Sequence, residues 1–155
     1  MTTESTSEKL PLRCASMRTM GIDPGLRRVG LALSDEGRSF ASPYKTLVRT
    51  TDAALVAALA AEVRAQEVDQ IVLGLPLRMN GLSGPEAKRA ERLQVTLEAA
   101  LGVPVALWDE RLTTVAAERE LRSSGLRGER KKALIDQAAA TLLLQSYLDA
   151  RRYSD

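Results

Sequence analysis

The sequence predicts an α/β fold, a mixed five-stranded sheet with helices on both faces. Three observations predict it. Two apolar stretches, joined by a Pro24-Gly25 turn and followed by a third strand-like segment, describe an antiparallel start. Further along, the short apolar runs 68–75 and 103–108 alternate with helical patterns, as parallel strands buried on both faces do. No linker, repeat or low-complexity segment interrupts the chain, and 155 residues at 45% hydrophobic content suffice for one domain with its own core.

The first hairpin runs from Met20 to Ser34. Its leading strand ends on Asp23, and Pro24, which has no N–H to donate, is expected to interrupt pairing where that carboxylate projects. Gly25 gives the turn a backbone freedom that other residues lack, and Gly30 leaves room for a second backbone or a ligand. A third strand is expected between Gly37 and Thr50. Thr51 or Asp52 caps a helix to about Gln66, with Leu55, Leu59 and Val63 on one face. Val68–Leu75 is a buried strand that Pro76 stops. The turn-rich segment 76–85 follows, in which Ser83 and Glu86 have the spacing of a capping box for a helix over about 86–101, ended by Gly102. Val103–Trp108 is the last strand and leads directly into Asp109-Glu110-Arg111. Thr113 or Thr114 opens a further helix ending near Ser124-Gly125; a basic loop and a final helix over about 132–151 complete the order.

Composition excludes much chemistry. There is no histidine, so catalytic triads, histidine bases and histidine-ligated zinc are ruled out. Cys14 is the single cysteine, which rules out an intrachain disulfide or a thiolate cluster. Residues 1–17 are polar and lack the apolar core of a signal peptide, so a disordered extension is expected there, with the domain over 18–155 and a cytoplasmic location. No apolar run has membrane-spanning length, and no membrane partner is expected. One Phe, one Trp and three Tyr are too few for an extended base-stacking surface. A nucleic-acid partner would therefore be held mostly by its backbone.

Carboxylates collect at comparable places. Asp23 closes the first strand, Asp109 and Glu110 close the last, and Asp136 falls early in the final helix, at the edge of an apolar arc of Ile135, Ala138, Ala139 and Leu142. A carboxylate there needs a partner, and Lys132, one turn earlier, is the everyday choice. Converging carboxylates without His or Cys favour a hard divalent cation, Mg²⁺ or Mn²⁺, and such ions serve phosphodiester cleavage. Strand alternation leaves Asp109 and Glu110 as alternatives, because both faces of that strand are apolar. Basic and polar residues expected at the same end, as phosphate contacts beside Gly25, are Arg27, Arg28, Arg78, Asn80, Arg111, Arg130, Lys131 and Lys132.

Four segments, GIDPG at 21–25 with VGLALSD following, IVLGLPLRMNG at 71–81, WDERLTTVAAE at 108–118 and RKKALIDQAAATLLLQSYLD at 130–149, occur in order. Through them the chain resembles the YqgF/RuvX family of Holliday-junction-resolvase-like proteins and pre-16S ribosomal RNA nucleases. The resemblance implies an RNase H-like fold and a divalent-metal nuclease site in which Asp23, Glu110 and Asp136 are the catalytic and metal-binding carboxylates. It also implies a structured RNA substrate and 5′-end processing of pre-16S ribosomal RNA, by a monomer or homodimer. The alternative is resolution of four-way DNA junctions, which favours a two-fold dimer. Nucleotide binding is less favoured, since enclosing ATP takes two large lobes. An inert RNA-binding module would carry a costly acidic cluster for no purpose.

Overall fold

The structure, a computed structural model, describes residues 18–76, 84–109 and 128–154. Five strands and three helices are formed among them. In chain order these are β1 (Arg18–Pro24), β2 (Arg28–Ser34), β3 (Ala41–Val48), α1 (Asp52–Ala65), β4 (Val68–Leu75), α2 (Pro85–Leu101), β5 (Val105–Asp109) and α3 (Gly128–Ser154). The extension over 1–17, Ser83 of the expected capping box and the helix expected after Thr113 or Thr114 lie outside the described residues.

The strands form one sheet in the order β3-β2-β1-β4-β5. Within it β1, β2 and β3 are antiparallel neighbours, while β4 runs parallel to both β1 and β5. This is the mixed sheet the sequence predicts, and its helices cover both faces. Met20, Ile22, Leu31, Ile71 and Leu73 point to one side and pack with Leu55, Leu59 and Val63 of α1 and Leu93 and Leu97 of α2. Ala32 and Val72 point to the other side, where they meet Ala140, Leu143, Leu144, Tyr147 and Leu148 of α3. Residues two apart on a strand share a face, so the alternation of β1 sorts Met20 and Ile22 from Gly21 and Asp23.

Several details differ from the sequence expectation. Pairing of β1 with β2 runs through Pro24↔Val29 instead of stopping at Asp23. The β1–β4 register ends at Ile22↔Leu73, so Pro24 has a strand on one side only and its missing N–H costs no bond on the other. Gly25 is required for space: a Cβ there would run into the Arg28 carbonyl, and its φ is not positive. Helix α2 takes Gly84 as its N-cap with Pro85 in the first turn, one residue later than a cap at Ser83. Helix α3 starts at Gly128, so Arg130, Lys131 and Lys132 stand in its first turns and not in a loop. By contrast, Thr51 caps α1 as expected, its side chain accepting from the Ala54 N–H at 3.0 Å.

Candidate active site

One row of residues crosses the sheet beneath α3. Asp23 on β1 is registered with Gly30 on β2, and Gly30 with Thr46 on β3. By strand parity all three face α3. The Thr46 hydroxyl donates to the Ala133 carbonyl at 2.8 Å and accepts from the Gln137 side-chain amide at 3.1 Å. Farther along, Gln145 accepts from the Ala41 N–H at 2.8 Å and donates to the Ser39 carbonyl at 3.0 Å. These bonds fix where α3 sits along the sheet.

What fixes its height is glycine. A Cβ at Gly30 would collide with the Asp136 carbonyl, and one at Gly21 would press on Leu144 and the Ala140 carbonyl. The helix therefore rests directly on backbone at two points, and the first of them is Asp136 itself. The sequence reading that Gly30 admits a second backbone holds, and the backbone is that of the candidate site.

Asp136 is half-buried at the edge of the apolar face, one turn before the buried Ala140 and Leu143, as the sequence places it. Its side chain is 18% exposed and accepts a charge-assisted bond from Arg28 Nε at 2.7 Å. Lys132, the expected partner, pairs with Glu129 at 3.7 Å, and Glu129 also lies 3.8 Å from Arg28. The correction has a geometric cause. A partner at i−4 lies along the helix surface, whereas Asp136 points down to the strand end, where β2 presents Arg28. Burial raises the Asp136 carboxyl above the ordinary aspartate range, and the opposing pull of Arg28 does not cancel this.

Asp23 and Asp136 line a common cavity of about 280 Å³ at the carboxyl end of β1, together with Gly25, Arg49, Glu86 and Arg89. A site beyond the carboxyl ends of strands is where α/β sheets place ligands. The ends of β4 and β5 reach the same level, since Leu75 is registered with Asp109. Trp108 packs edge-on against Tyr147 of α3 at 5.2 Å between ring centres, so it faces the same side as Asp23, and Asp109 is exposed after it. Glu110, Arg111, Arg78 and Asn80 lie outside the described residues. Among the described residues no three acidic side chains come together as a metal cluster.

The structure disperses the basic candidates. Arg27 is exposed at the hairpin tip, Arg28 is held by Asp136, and Arg130 and Lys132 are exposed on the first turns of α3 beside a partly covered Lys131. Sequence reasoning missed Arg49, Arg89 and Glu86. Arg49 follows β3 and has no motif around it. Glu86 and Arg89 read as ordinary residues of an amphipathic helix, and only the packing of α2 brings them to the cavity.

In fold the chain is RNase H-like. Thermus thermophilus RuvC in complex with a Holliday junction substrate superposes with a TM-score of 0.57 at 20% identity, over 89% of this chain and 97% of that one. Fowlpox virus resolvase with Holliday junction DNA gives 0.54 at 12% identity, over 87% and 99%. In this fold Asp23 and Asp136 line one cavity at the carboxyl end of β1. The RuvX family model, described as Holliday junction resolvase, matches residues 17–150, and the chain belongs to that family. Curated relatives named "Putative pre-16S rRNA nuclease" include a protein of Anaeromyxobacter dehalogenans, 47% identical over 87% of this chain and 98% of its own length. Another, from Myxococcus xanthus, is 46% identical over 90% and 92%. No helix among the described residues is long and apolar enough to cross a membrane.

Proposed function

We propose that this protein is a divalent-metal-dependent nuclease that hydrolyses phosphodiester bonds in structured RNA, in the 5′-end processing of pre-16S ribosomal RNA. The observation that carries the reading is the seating of α3 on Gly30, which brings Asp136 over the strand end that bears Asp23. The names of relatives 46–47% identical along most of the chain give the substrate class.

The residues present fit Mg²⁺ or Mn²⁺. Their donors are hard carboxylate oxygens on rigid elements, and Asp136 is an anion that burial disfavours even beside an arginine, so a further cation is welcome. Asp23 and Asp136 would hold the metal with Glu110 as third carboxylate. Period-two alternation supports Glu110 over Asp109, because Trp108 faces α3 and its neighbour Asp109 on β5 therefore turns away from it. When bound, the metal supplies water activation and charge stabilisation at the phosphate.

The chain's own groups do the remainder. Thr46 and Gln137 hold α3 in register so that Asp136 does not drift. Arg28 keeps the Asp136 carboxylate oriented, and its guanidinium would also lie within the site to meet a substrate phosphate. Arg27, Arg130, Lys131 and Lys132, with Arg78, Asn80 and Arg111, orient the strand through its phosphates, and Gly25 keeps the turn low enough for a phosphate to approach.

A second reading, cleavage of four-way DNA junctions, draws on the family description and on the junction-bound structures that share the fold. One experiment separates the two. Purified protein is incubated with labelled precursor RNA, single-stranded RNA and four-way DNA junctions, each with Mg²⁺, Mn²⁺ or EDTA. The proposal expects metal-dependent cutting of precursor RNA, abolished in Asp23→Asn. Undiminished cutting in EDTA would remove the mechanism, and paired symmetric cuts in junctions by a stable dimer, with RNA left intact, would select the second reading.

A further inference from the structure

The cavity beside Asp23 does not end at the carboxylates. A second recess of about 370 Å³ adjoins it and shares four of its lining residues: Leu26, Arg49, Arg89 and Leu93. Beyond these it is lined by Asp52, Arg92 and Thr96. The two recesses form one groove between the tip of the β1–β2 hairpin and the flank of α2. From Glu86 to Thr96 it follows α2 for about 15 Å at the helical rise.

Away from Asp23 and Asp136 its charge is mainly basic, Arg49, Arg89 and Arg92 against Asp52 and Glu86. Arg49 is built into the wall: its side chain is 13% exposed, donates to the Gly25 carbonyl at 3.1 Å, and meets Asp52 at 3.2 Å. Asp52 itself is 78% exposed, and an ion pair to so solvated a carboxylate contributes little and yields readily. Arg89 and Arg92 stand one helical turn apart and have no ion-pair partner among the described residues. Glu86 is placed to neutralise Arg89 at i+3, yet the two form no ion pair. Between the arginines the floor is apolar, with Leu93 buried and Leu26 63% exposed. Guanidinium forks spaced along an apolar floor suit phosphates that alternate with sugars, since each fork matches two phosphate oxygens.

We propose that Arg49, Arg89 and Arg92 form a phosphate-binding groove for a single polynucleotide strand, leading away from the bond held at Asp23 and Asp136. The inference rests on the nuclease reading and adds to it the path of the strand and three positioning residues. Among the described residues the groove lies on one flank of the hairpin, so it sets on which side of the cut the longer contact is made. Its walls are the hairpin and α2, an arrangement that suits one strand with its bases turned outward.

The test measures binding in the Asp23→Asn background with Mg²⁺ present. The probes are a labelled single-stranded RNA, an RNA duplex and a four-way DNA junction, each across a range of salt. Arg89→Ala with Arg92→Ala is compared with Arg151→Ala and Arg152→Ala, an equal charge change at the far end of α3. The groove pair should bind single-stranded RNA about 10-fold more weakly or worse. Its slope of log affinity against log salt should fall by about 1.4, the loss of two phosphate contacts on a single strand. Arg89→Lys with Arg92→Lys, which keeps the charge and loses the fork, should retain most of the slope and only part of the affinity. Equal effects from the two alanine pairs, or an unchanged slope in the groove pair, would overturn the proposal. A loss confined to the duplex or the junction would overturn its single-strand assignment. If the Asp23→Asn protein with all its arginines bound none of the three probes, the nuclease reading would fall and the groove with it. Were it to bind with the groove pair silent, the groove alone would fall.

Discussion

Gly30→Ala is the sharpest test of how this site is held. The added Cβ would lie 2.0 Å from the Asp136 carbonyl oxygen and 3.0 Å from the Asp136 Cβ. Neither atom is the end of a flexible side chain. To reach ordinary contact the first turns of α3 must lift by more than about 1 Å, a strain of the kind that costs about 1–3 kcal/mol in a packed interior. Losing glycine returns some of this, about 0.4–1 kcal/mol, by narrowing the unfolded ensemble. For a chain of this size the net loss lowers Tm by only a few degrees. Activity should suffer far more, because misplacing a reacting group by about 1 Å costs on the order of 100-fold. The control is Gly21→Ala, whose Cβ would meet Leu144 Cβ at 2.8 Å and the Ala140 carbonyl at 3.1 Å, lifting the same helix one turn and more beyond the carboxylate. Both variants would be melted by circular dichroism and assayed for RNA cleavage at 25 °C with saturating Mn²⁺. Comparable Tm losses with a much larger activity loss in Gly30→Ala are expected. Equal activity losses, or a Gly30→Ala protein as active as the parent, would refute the claim that β2 sets the position of Asp136.

Glu110→Gln should abolish cleavage with folding intact, whereas Asp109→Asn should retain appreciable activity; a folded, inactive Asp109→Asn beside an active Glu110→Gln would move the site by one residue. Neutralising Lys131 and Lys132 together should weaken RNA binding across sequences and lower its salt slope by about 1–2, as read from titrations at several salt concentrations. Glu62 offers a stability test remote from the site. Lys45, at 2.7 Å, and then the Tyr44 hydroxyl hold its carboxyl below the ordinary glutamate range. A lowered folded value stabilises the native state above the unfolded one and loses that contribution as pH falls through the folded one. Glu62→Gln should therefore cost on the order of 1 kcal/mol at pH 7, with the two melting curves converging as pH falls through the lowered folded value. A difference that persisted below that value would mean that packing, not charge, is what the substitution removes.

The parts of the fold that were legible are those that a local pattern writes. Val68–Leu75 has the β-branched run, the bounds and the proline stop of a buried strand, and it is one. Thr51 precedes an apolar stripe at helical spacing and caps it. Asp23 could be placed at a strand end because proline and glycine follow it. The start of α3 was not legible, because Gly-Glu-Arg-Lys-Lys has no apolar member and the periodic signal begins only at Ala133. The Arg28–Asp136 bond joins residues 108 apart, and no local rule names such a partner while Lys132 stands one turn away. For Gly30, the sequence disclosed that something comes close, and only the docked helix shows what. The groove along α2 was hidden for the same reason: spacing places Arg89 and Arg92 on one face of a helix without saying what that face borders.

The bare-backbone seat of α3 has a consequence for when the site exists at all. Asp23 lies on the first described strand and Asp136 on the last described helix, and no short-range contact joins them. The three-strand meander and the β1–β4–β5 pairing could all form before Asp136 reached Asp23. Proximity of the two carboxylates is thus a property of the finished tertiary structure, available only after the long stretch of chain between β1 and α3 has closed. Partial opening that detached α3 would erase the site while leaving the sheet paired and α1 and α2 helical. Loss of activity should then precede loss of ellipticity on warming, and amide exchange in the first turns of α3, not in β1, should set the temperature at which the protein falls silent.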